Sequence, residues 1–295
     1  MNKLQVKADF ALILVAFIWG ATFTMVKEAT ADFPVFPFLT LRFFIALVVL
    51  FPVALRANKT LSIKALWLSI FAGICFFTGF AFQTFGLRYI GPGRAGFITG
   101  LAVVLVPVGG ALFLKVRISR GALFGVVLAV LGLVLLTGIL ESSGMSLGDG
   151  LVLMCALAFA GHILAVGQLP IGCDWRIPTA IQVMIVACFS LVFSVFTIPG
   201  SIIGLIQTAG FNVWFAAVFT GLLATAFALS CQTWAQQFTS TTHTALIFSG
   251  EPVFAALFGY LLFNEKLTFI QILGCIFILL GMVAAEMPSL SNRKP

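Results

Sequence analysis

Windows of about twenty apolar residues constrain the fold of this chain more than any other feature. An α-helix rises about 1.5 Å per residue, so roughly twenty apolar residues cross the hydrocarbon core of a bilayer. The windows lie near 9–28, 34–55, 65–87, 94–116, 121–140, 147–167, 177–198, 211–234, 242–263 and 268–286. The sequence therefore predicts an all-α integral membrane protein with ten transmembrane helices.

The composition argues against a water-soluble protein. Of the 295 residues, 61% are hydrophobic and 8% are charged, whereas soluble domains carry about a quarter charged residues. The residues outside the apolar windows are too few for a soluble domain. We therefore expect one integral membrane unit with the lipid bilayer as its surroundings.

The net charge of +7 is interpreted as a sign of topology rather than of nucleic-acid binding. If the N-terminus is inside, eleven of the sixteen lysines and arginines fall on the inner side, four on the outer side, and Arg42 within a span. By the positive-inside rule, both termini are predicted to be cytoplasmic. The inner residues are Lys3, Lys7, Arg56, Lys59, Lys64, Lys115, Arg117, Arg120, Arg176, Arg293 and Lys294, and the outer ones are Lys27, Arg88, Arg94 and Lys266.

The first apolar window is expected to stay in the protein. "ATA" at 29–31 resembles a signal-peptidase site, but Lys27 and Glu28 interrupt the approach to it. The window is therefore predicted to be a transmembrane helix.

Motifs for catalysis and for cofactors are missing from the sequence. The six cysteines show neither metal-ligand spacing nor a disulfide framework. HExxH, paired acids, acid clusters for magnesium and a P-loop are also missing, so neither a cofactor nor direct ATP use is expected. An intramembrane enzyme is therefore disfavoured.

The chain contains an internal repeat. An offset of 149 residues aligns "FQTF" (82–85) with "CQTW" (231–234) and "GFITG" (96–100) with "ALIFS" (245–249). The earlier part aligns at an offset of 140, so nine extra residues are expected near the loop between the seventh and eighth spans. Aligned pairs include Asp9 with Asp149 and Arg42 with Gln182 at offset 140, and Gly110 with Gly259, Gly125 with Gly274 and Gly132 with Gly281 at offset 149.

Each copy of the repeat has five spans, which determines its orientation in the membrane. Because five is odd, the second copy, 141–295, must enter the bilayer from the opposite side to the first, 1–140. Inverted repeats are the usual architecture of secondary transporters, which expose one central site alternately to each face. Chance similarity among apolar helices is the alternative for the 140-residue offset taken alone.

Four segments are similar to a known family. "FIWGATFTMVK" (17–27), "PFLTLRFF" (37–44), "AGFITGLAVVLVP" (95–107) and "IFSGEPVFAALFGYLLFNEKLT" (247–268) resemble the EamA-like family of the drug/metabolite transporter superfamily. The resemblance implies a central cavity lined by spans 1–4 and 6–9, with spans 5 and 10 on the flank. It also implies transport of small metabolites, often amino acids or related compounds, commonly outward. The first repeat departs from the pattern, because it lacks an equivalent of Glu265.

Arg42 and Glu251 are the strongest candidates for a substrate site. The count runs from the outer end of the second span to Arg42 and from the inner end of the ninth span to Glu251. It places both residues roughly 12 to 14 Å deep, near the midplane. Ionisable groups at that depth are costly and tend to face a cavity. In the functional interpretation, Arg42 holds a substrate carboxylate and Glu251 holds an amine or takes up a proton. In the alternative, the two form a structural pair.

Further polar and aromatic residues are candidates for the cavity lining. His162 lies deep in a span, where it could relay protons or simply bond to a neighbouring helix. Gln83 and Gln232 are equivalent in the repeat and are assigned either to gates or to interhelical bonds. The aromatic candidates are Trp19, Phe23, Phe85 and Trp234.

Prolines and glycines in the spans have simpler interpretations. Pro107 and Pro252 are expected to kink their helices. The flanking spans carry Gly121, Gly125, Gly274 and Gly281, which suit either close packing or a homodimer.

A channel or facilitator remains the alternative to a carrier, and protons are one candidate for the coupling ion.

Overall fold

The structure is a computed structural model that describes residues 3–57, 60–137, 145–198, 200–263 and 267–286. All regular structure within these residues is helical. Five charged residues used above lie outside them: Lys59, Glu265, Lys266, Arg293 and Lys294.

The first half of the chain contains seven helices. They are α1 (Lys3–Gly20), α2 (Thr22–Ala29), α3 (Val35–Leu55), α4 (Ile63–Gly86), α5 (Pro92–Gly100), α6 (Ala102–Leu114) and α7 (Arg120–Thr137). The second half contains eight helices and one π-helical segment. They are α8 (Leu147–Gly167), α9 (Arg176–Thr197), α10 (Ile202–Gln207), α11 (Phe211–Gly221), the π segment Leu222–Phe227, α12 (Ala228–Ala235), α13 (Thr241–Phe248), α14 (Glu251–Phe263) and α15 (Phe269–Glu286).

Within the residues that the structure describes, seven helical stretches are long and apolar enough to cross a membrane. Two further apolar helices, Arg120–Leu136 and Phe269–Ala284, are shorter. The seven are Lys3–Ala29, Val35–Leu55, Ile63–Gly86, Pro92–Leu114, Leu147–Gly167, Arg176–Thr197 and Phe211–Ala235. Large apolar side chains such as Phe113 (82% exposed) and Phe196 (83% exposed) cover the outside of the bundle. These features are those of a multi-pass membrane protein whose surface faces lipid.

Several predicted spans are divided into shorter helices, and the fourth and the ninth are divided at corresponding points. Leu101 separates α5 from α6, and Ser249 and Gly250 separate α13 from α14. The offset of 149 residues carries the start of α6, Ala102, onto the start of α14, Glu251. Pro252 is therefore the second residue of a new helix, where no backbone donor is needed, while Pro107 lies inside α6.

The helices pack in an arrangement that leaves a central space. α3 packs along α9, α4 packs along α8, and α1 packs against α12, α13 and α14. The loop between α9 and α11, where the repeat predicts nine extra residues, contains the short helix α10.

α7 and α15 pack closely against each other at glycine residues. A Cβ atom at Gly132 would lie 2.6 Å from the carbonyl oxygen of Gly274, and one at Gly281 would lie 2.7 Å from that of Gly125. The backbones approach so closely that no side chain fits between them. Of the four glycines predicted for packing or dimerisation, Gly125, Gly274 and Gly281 are therefore engaged within the chain.

Candidate functional site

A cavity of about 50 Å³ lies between the two halves of the chain. Its lining draws on both halves and on helices that are far apart in sequence. The lining residues are Trp19, Thr22, Arg42, Phe76, Phe80, Gln83, Thr99, Gly100, Ala102, Phe159, His162, Ile163, Gln232, Ala245, Phe248, Ser249 and Glu251.

Most of the lining consists of residues that are equivalent in the repeat. Six pairs, taken at the two offsets found in the sequence, have both members in the lining. The pairs are Trp19 with Phe159 and Thr22 with His162 at offset 140, and Gln83 with Gln232, Thr99 with Phe248, Gly100 with Ser249 and Ala102 with Glu251 at offset 149. The two members of a pair differ most in polarity at Ala102 and Glu251, where an alanine corresponds to a carboxylate.

Glu251 reaches the cavity because the ninth predicted span is not one continuous helix. It is the first residue of α14, where the free N–H groups of the first turn favour a negative charge. Gly20 packs against this point, since a Cβ atom there would lie 2.8 Å from the carbonyl oxygen of Glu251. Among the described hydrogen bonds and ion pairs, none involves the Glu251 carboxylate.

Arg42 is a buried cation at the cavity wall. Its exposed fraction is 2%, and its Nε donates a 2.9 Å hydrogen bond to Oγ1 of Thr225. The guanidinium carbon lies 4.3 Å from the centre of the Phe80 ring, a distance typical of a cation–π contact. Arg42 and Glu251 line one cavity, but the described ion pairs do not join them.

A chain of hydrogen bonds sets the tautomer of His162. Gln182 donates from Nε2 to the carbonyl oxygen of Pro178 at 3.0 Å, so its Oε1 is the atom 2.8 Å from Nε2 of His162. Nε2 must therefore carry the proton, which makes Nδ1 an acceptor in the neutral ring. The ring also stacks on Phe76, with the ring centres 4.6 Å apart.

A similar chain orients the amide of Gln232. Gln236 donates from Nε2 to the carbonyl oxygen of Ile163 at 2.9 Å and accepts at Oε1 from Nε2 of Gln232 at 3.1 Å. Oε1 of Gln232 is buried and has no hydrogen-bond partner among the described residues. A buried acceptor of this kind is costly unless a ligand or water donates to it. Its equivalent Gln83 donates to Oγ1 of Thr99 at 3.3 Å.

Three aromatic candidates lie outside the cavity lining. Phe23 is 3% exposed and belongs to the main hydrophobic core. Phe85 contacts Phe36, with the ring centres 5.3 Å apart, and Trp234 contacts Phe238 at the same distance. Phe85 and Trp234 each follow a cavity glutamine by two residues, and residues so spaced point to different sides of a helix.

The π segment contributes two groups that sequence reasoning missed. Thr225 accepts from Arg42, and the carbonyl oxygen of Ala224 accepts a 2.8 Å hydrogen bond from Nε1 of Trp19. A π turn leaves backbone carbonyls free for such partners and is common at functional sites. The letters "LLATAF" give no signal for it.

Metal ligands do not cluster in the part of the chain that the structure describes. No group of three or more histidine, cysteine, aspartate or glutamate residues there could hold a metal ion. The six cysteines are free thiols. The cavity instead offers one cation, one carboxylate and two oriented neutral acceptors.

Comparison with known proteins identifies relatives over nearly the whole chain. An uncharacterized transporter of Archaeoglobus fulgidus is 34% identical over 280 residues, which cover 95% of this chain and 86% of the relative. The uncharacterized transporter YoaV of Bacillus subtilis is 27% identical over 286 residues, covering 94% and 96%. A protein of known crystal structure, 17% identical, superposes with a TM-score of 0.77 over 96% of this chain and 98% of its own.

A family model provides the assignment. The EamA-like transporter family matches residues 6–138 and again residues 146–285. The two matches follow one another along the chain and together cover most of it. The chain therefore belongs to the EamA-like transporter family.

Proposed function

We propose that the protein is a secondary transporter that carries small zwitterionic metabolites, such as amino acids, through the central cavity by alternating access. The observation that carries the proposal is the cavity itself. It combines the buried cation Arg42 with the carboxylate Glu251, and both lie within a lining built largely from equivalent residues of the two halves.

The proposed architecture is ten transmembrane helices in two inverted repeats of five. The divided fourth and ninth spans support it, because Leu101 and Gly250 occur at equivalent positions. The glycine contacts support it as well, since the offset of 149 residues carries Gly132 and Gly125 onto Gly281 and Gly274. The separate family matches to residues 6–138 and 146–285 are a third support.

The charge arrangement favours a zwitterion over a simple cation or anion. Arg42 offers a bidentate fork to a substrate carboxylate. Glu251, Oε1 of Gln232 and Nδ1 of His162 are acceptors for an ammonium group. A substrate with one charge would leave either Arg42 or Glu251 without a countercharge, and an unpaired buried charge is costly.

The size of the cavity supports a moving binding site. A volume of about 50 Å³ holds only a few water molecules. Substrate binding therefore requires the walls to part, as they do when the two halves of an inverted-repeat carrier rock about a central site. In this mechanism the cavity opens to one face at a time.

We place the protein in the cytoplasmic membrane, with both termini in the cytoplasm, as an exporter. The excess of basic residues on the side of the N-terminus supports the orientation. The outward direction rests on the family resemblance. A homodimer would use faces other than the glycine contact between α7 and α15, because that contact is already closed within the chain.

Counterflow in proteoliposomes tests the proposal. Wild type, Arg42→Gln, Glu251→Gln and the control Glu28→Gln are loaded with unlabelled amino acids and assayed with labelled ones, with and without a pH gradient. We expect saturable exchange in wild type and in the control, where Glu28 is exposed. Arg42→Gln should raise the half-saturating concentration about tenfold or more, since hydrogen bonds to charged groups contribute roughly 1.5 to 3 kcal/mol.

Two outcomes would contradict the proposal. Unitary conductance in planar bilayers would indicate a channel. Exchange by Arg42→Gln and Glu251→Gln with the affinity and pH dependence of wild type would make the two charges structural, and the substrate site would then lie elsewhere.

A further inference from the structure

Two contacts between a carboxylate and a base occupy equivalent positions in the two halves of the chain. Oδ1 of Asp9 lies 3.3 Å from Nε2 of His243, and Nη2 of Arg94 lies 2.7 Å from Oδ2 of Asp149. The offset of 140 residues carries Asp9 onto Asp149, and the offset of 149 carries Arg94 onto His243. Each pair is therefore the counterpart of the other under the repeat.

Each pair joins the first half of the chain to the second. Asp9 belongs to α1 and His243 to the first turn of α13, whereas Arg94 belongs to the first turn of α5 and Asp149 to that of α8. In both cases, the first predicted span of one half meets the fourth span of the other. If the halves are inverted, the two pairs lie at opposite faces of the membrane.

The carboxylates are equally buried, but the bases differ in chemistry. Asp9 and Asp149 are each 4% exposed. Arginine keeps its charge at every physiological pH, whereas histidine ordinarily changes charge between about pH 5 and pH 8. Asp149 also accepts from the backbone N of Ser146 at 2.6 Å and from its Oγ at 2.8 Å, which fixes the permanent pair further.

Water has access to the histidine. His243 lines a second cavity, of about 300 Å³, next to the start of α7. The other lining residues, most of them polar, are Gln5, Ser119, Ala122, Gln237, Phe238, Thr239 and Ser240. A polar cavity of this size has room for water, so a proton could reach the histidine side chain through it.

The charges around His243 favour Asp9 as its partner. The helices packed against α13 carry several other charged groups. Besides Asp9, α1 carries Lys3 and Lys7, and α7 begins at Arg120. α6 has no ionisable side chain. α8 carries Asp149 at its start and His162 in the central cavity, and α15 ends at Glu286. Lys115 and Arg117 are exposed in the loop before α7. Oδ1 of Asp9 is the carboxylate oxygen that lies within 3.3 Å of Nε2 of His243.

The position of the base in its helix makes this carboxylate necessary. His243 lies in the first turn of α13, where its backbone N donates to Oγ of Ser240 at 3.1 Å. A cation in the first turn of a helix is disfavoured by the helix dipole. Asp9 supplies a negative charge next to His243 that offsets this cost, so uptake of a proton and closure of the contact between α1 and α13 would depend on each other.

We propose that Asp9 and His243 form a proton-binding site that fastens the two halves at the end where α1 begins, while Arg94 and Asp149 fasten the other end independently of pH. The inference rests on the proposed alternating-access function. The proton closes the end that carries His243, and its loss allows that end to open. The site therefore makes the opening of one face, but not of the other, dependent on pH.

Hydrogen–deuterium exchange of the full-length protein in lipid nanodiscs tests the proposal without any transport assay. Exchange is measured without substrate at about pH 5.5 and pH 8 and corrected for the chemical pH dependence of amide exchange. In wild type, we expect peptides from α1 and α13 to exchange about fivefold more slowly at the lower pH, as one added ion pair allows. Peptides from α5 and α8 should show no such difference.

Exchanging the chemistry of the two ends gives matched variants. His243→Gln should remove the pH effect at α1 and α13, and His243→Lys should keep that end slow at both pH values. Arg94→His should create the pH effect at α5 and α8. His162→Gln, which removes the other histidine of the chain, should leave the wild-type effect in place.

Three results would overturn the proposal: a wild type without a pH effect, a His243→Gln variant that retains it, or an Arg94→His variant in which it does not appear at the second end. Thermal unfolding in detergent identifies any variant that fails to fold, and His243→Lys then still tests the site. Because the readout is independent of substrate, a negative counterflow assay would contradict the proposed transport function without affecting this result.

Discussion

Nε of Arg42 lies 2.9 Å from Oγ1 of Thr225, so a cation on α3 is held by the π segment that precedes α12. Arg42 is almost fully buried, and the hydroxyl that accepts its proton is neutral. A neutral acceptor orients the guanidinium but leaves its charge uncompensated. This arrangement is typical of an arginine that binds an anionic ligand rather than one in a permanent ion pair.

Thr225→Val should destabilise the protein by about 1 to 3 kcal/mol, because it keeps the side-chain shape but leaves a buried N–H without an acceptor. Thermal unfolding in detergent measures the change. Thr78→Val is the matched control, since Thr78 is partly exposed and its hydroxyl donates to the carbonyl oxygen of Ile74 within its own helix. Equal midpoints for the two variants would mean that the contact between Arg42 and Thr225 contributes nothing to stability.

Moving the carboxylate across the repeat should preserve part of its function. Glu251→Ala should lose accumulation driven by a pH gradient at least tenfold, and the double variant Ala102→Glu, Glu251→Ala should recover a measurable part of it. The reason is that Ala102 also lines the cavity, at the start of α6. Proteoliposome uptake with an imposed pH gradient measures both. A double variant no better than Glu251→Ala would show that the two positions are not equivalent in the cavity.

Gln182→Leu should lower the stability by about 1 to 3 kcal/mol and also weaken substrate exchange. It removes the acceptor of the His162 Nε2 proton, so a buried donor is left unpaired and the tautomer is no longer fixed. Unfolding midpoints and half-saturating concentrations for exchange measure the two effects. Gln207→Leu, at an exposed position, is the control. An unchanged half-saturating concentration would argue against Nδ1 of His162 as a substrate contact.

Gly132→Leu should be strongly destabilising, by about 1 to 3 kcal/mol or more, because any side chain at this position collides with α15. Gly150→Ala is the control, since a Cβ atom there meets nothing within 4 Å and alanine favours a helix by up to about 1 kcal/mol. Detergent unfolding compares the two. Similar midpoints would mean that α7 and α15 separate easily.

Much of the site could be anticipated from residue types and their depth in the spans. Arg42 and Glu251, which the sequence analysis selected as ionisable residues within apolar spans, line one cavity together with Trp19, Gln83, His162 and Gln232. The positions of Phe85 and Trp234 outside the lining could be predicted from helical periodicity. Each lies two residues, about 200° of helix rotation, beyond a glutamine of the lining, so the helical periodicity already separates them from it.

Other features had no signal in the sequence. The π segment consists of ordinary apolar letters. The tautomer of His162 depends on the hydrogen bond that its Nε2 donates to Oε1 of Gln182, a contact between residues twenty positions apart that the sequence does not indicate. The helix break at Leu101 lies six residues before Pro107, so the position of this proline did not indicate the break. Leu101 is equivalent in the repeat to Gly250, which directly precedes Glu251 and Pro252, and this equivalence could have predicted the break.

The pairing of Ala102 with Glu251 has a consequence for the energetics of transport. Two identical halves would make the inward-open and outward-open conformations degenerate, with equal energies and equal affinities. In the proposed inverted-repeat architecture, a carboxylate at position 251 with an alanine at position 102 would remove that degeneracy, because each conformation would surround the carboxylate differently. In the proposed alternating-access mechanism, the two open conformations would therefore differ in energy before any gradient is applied.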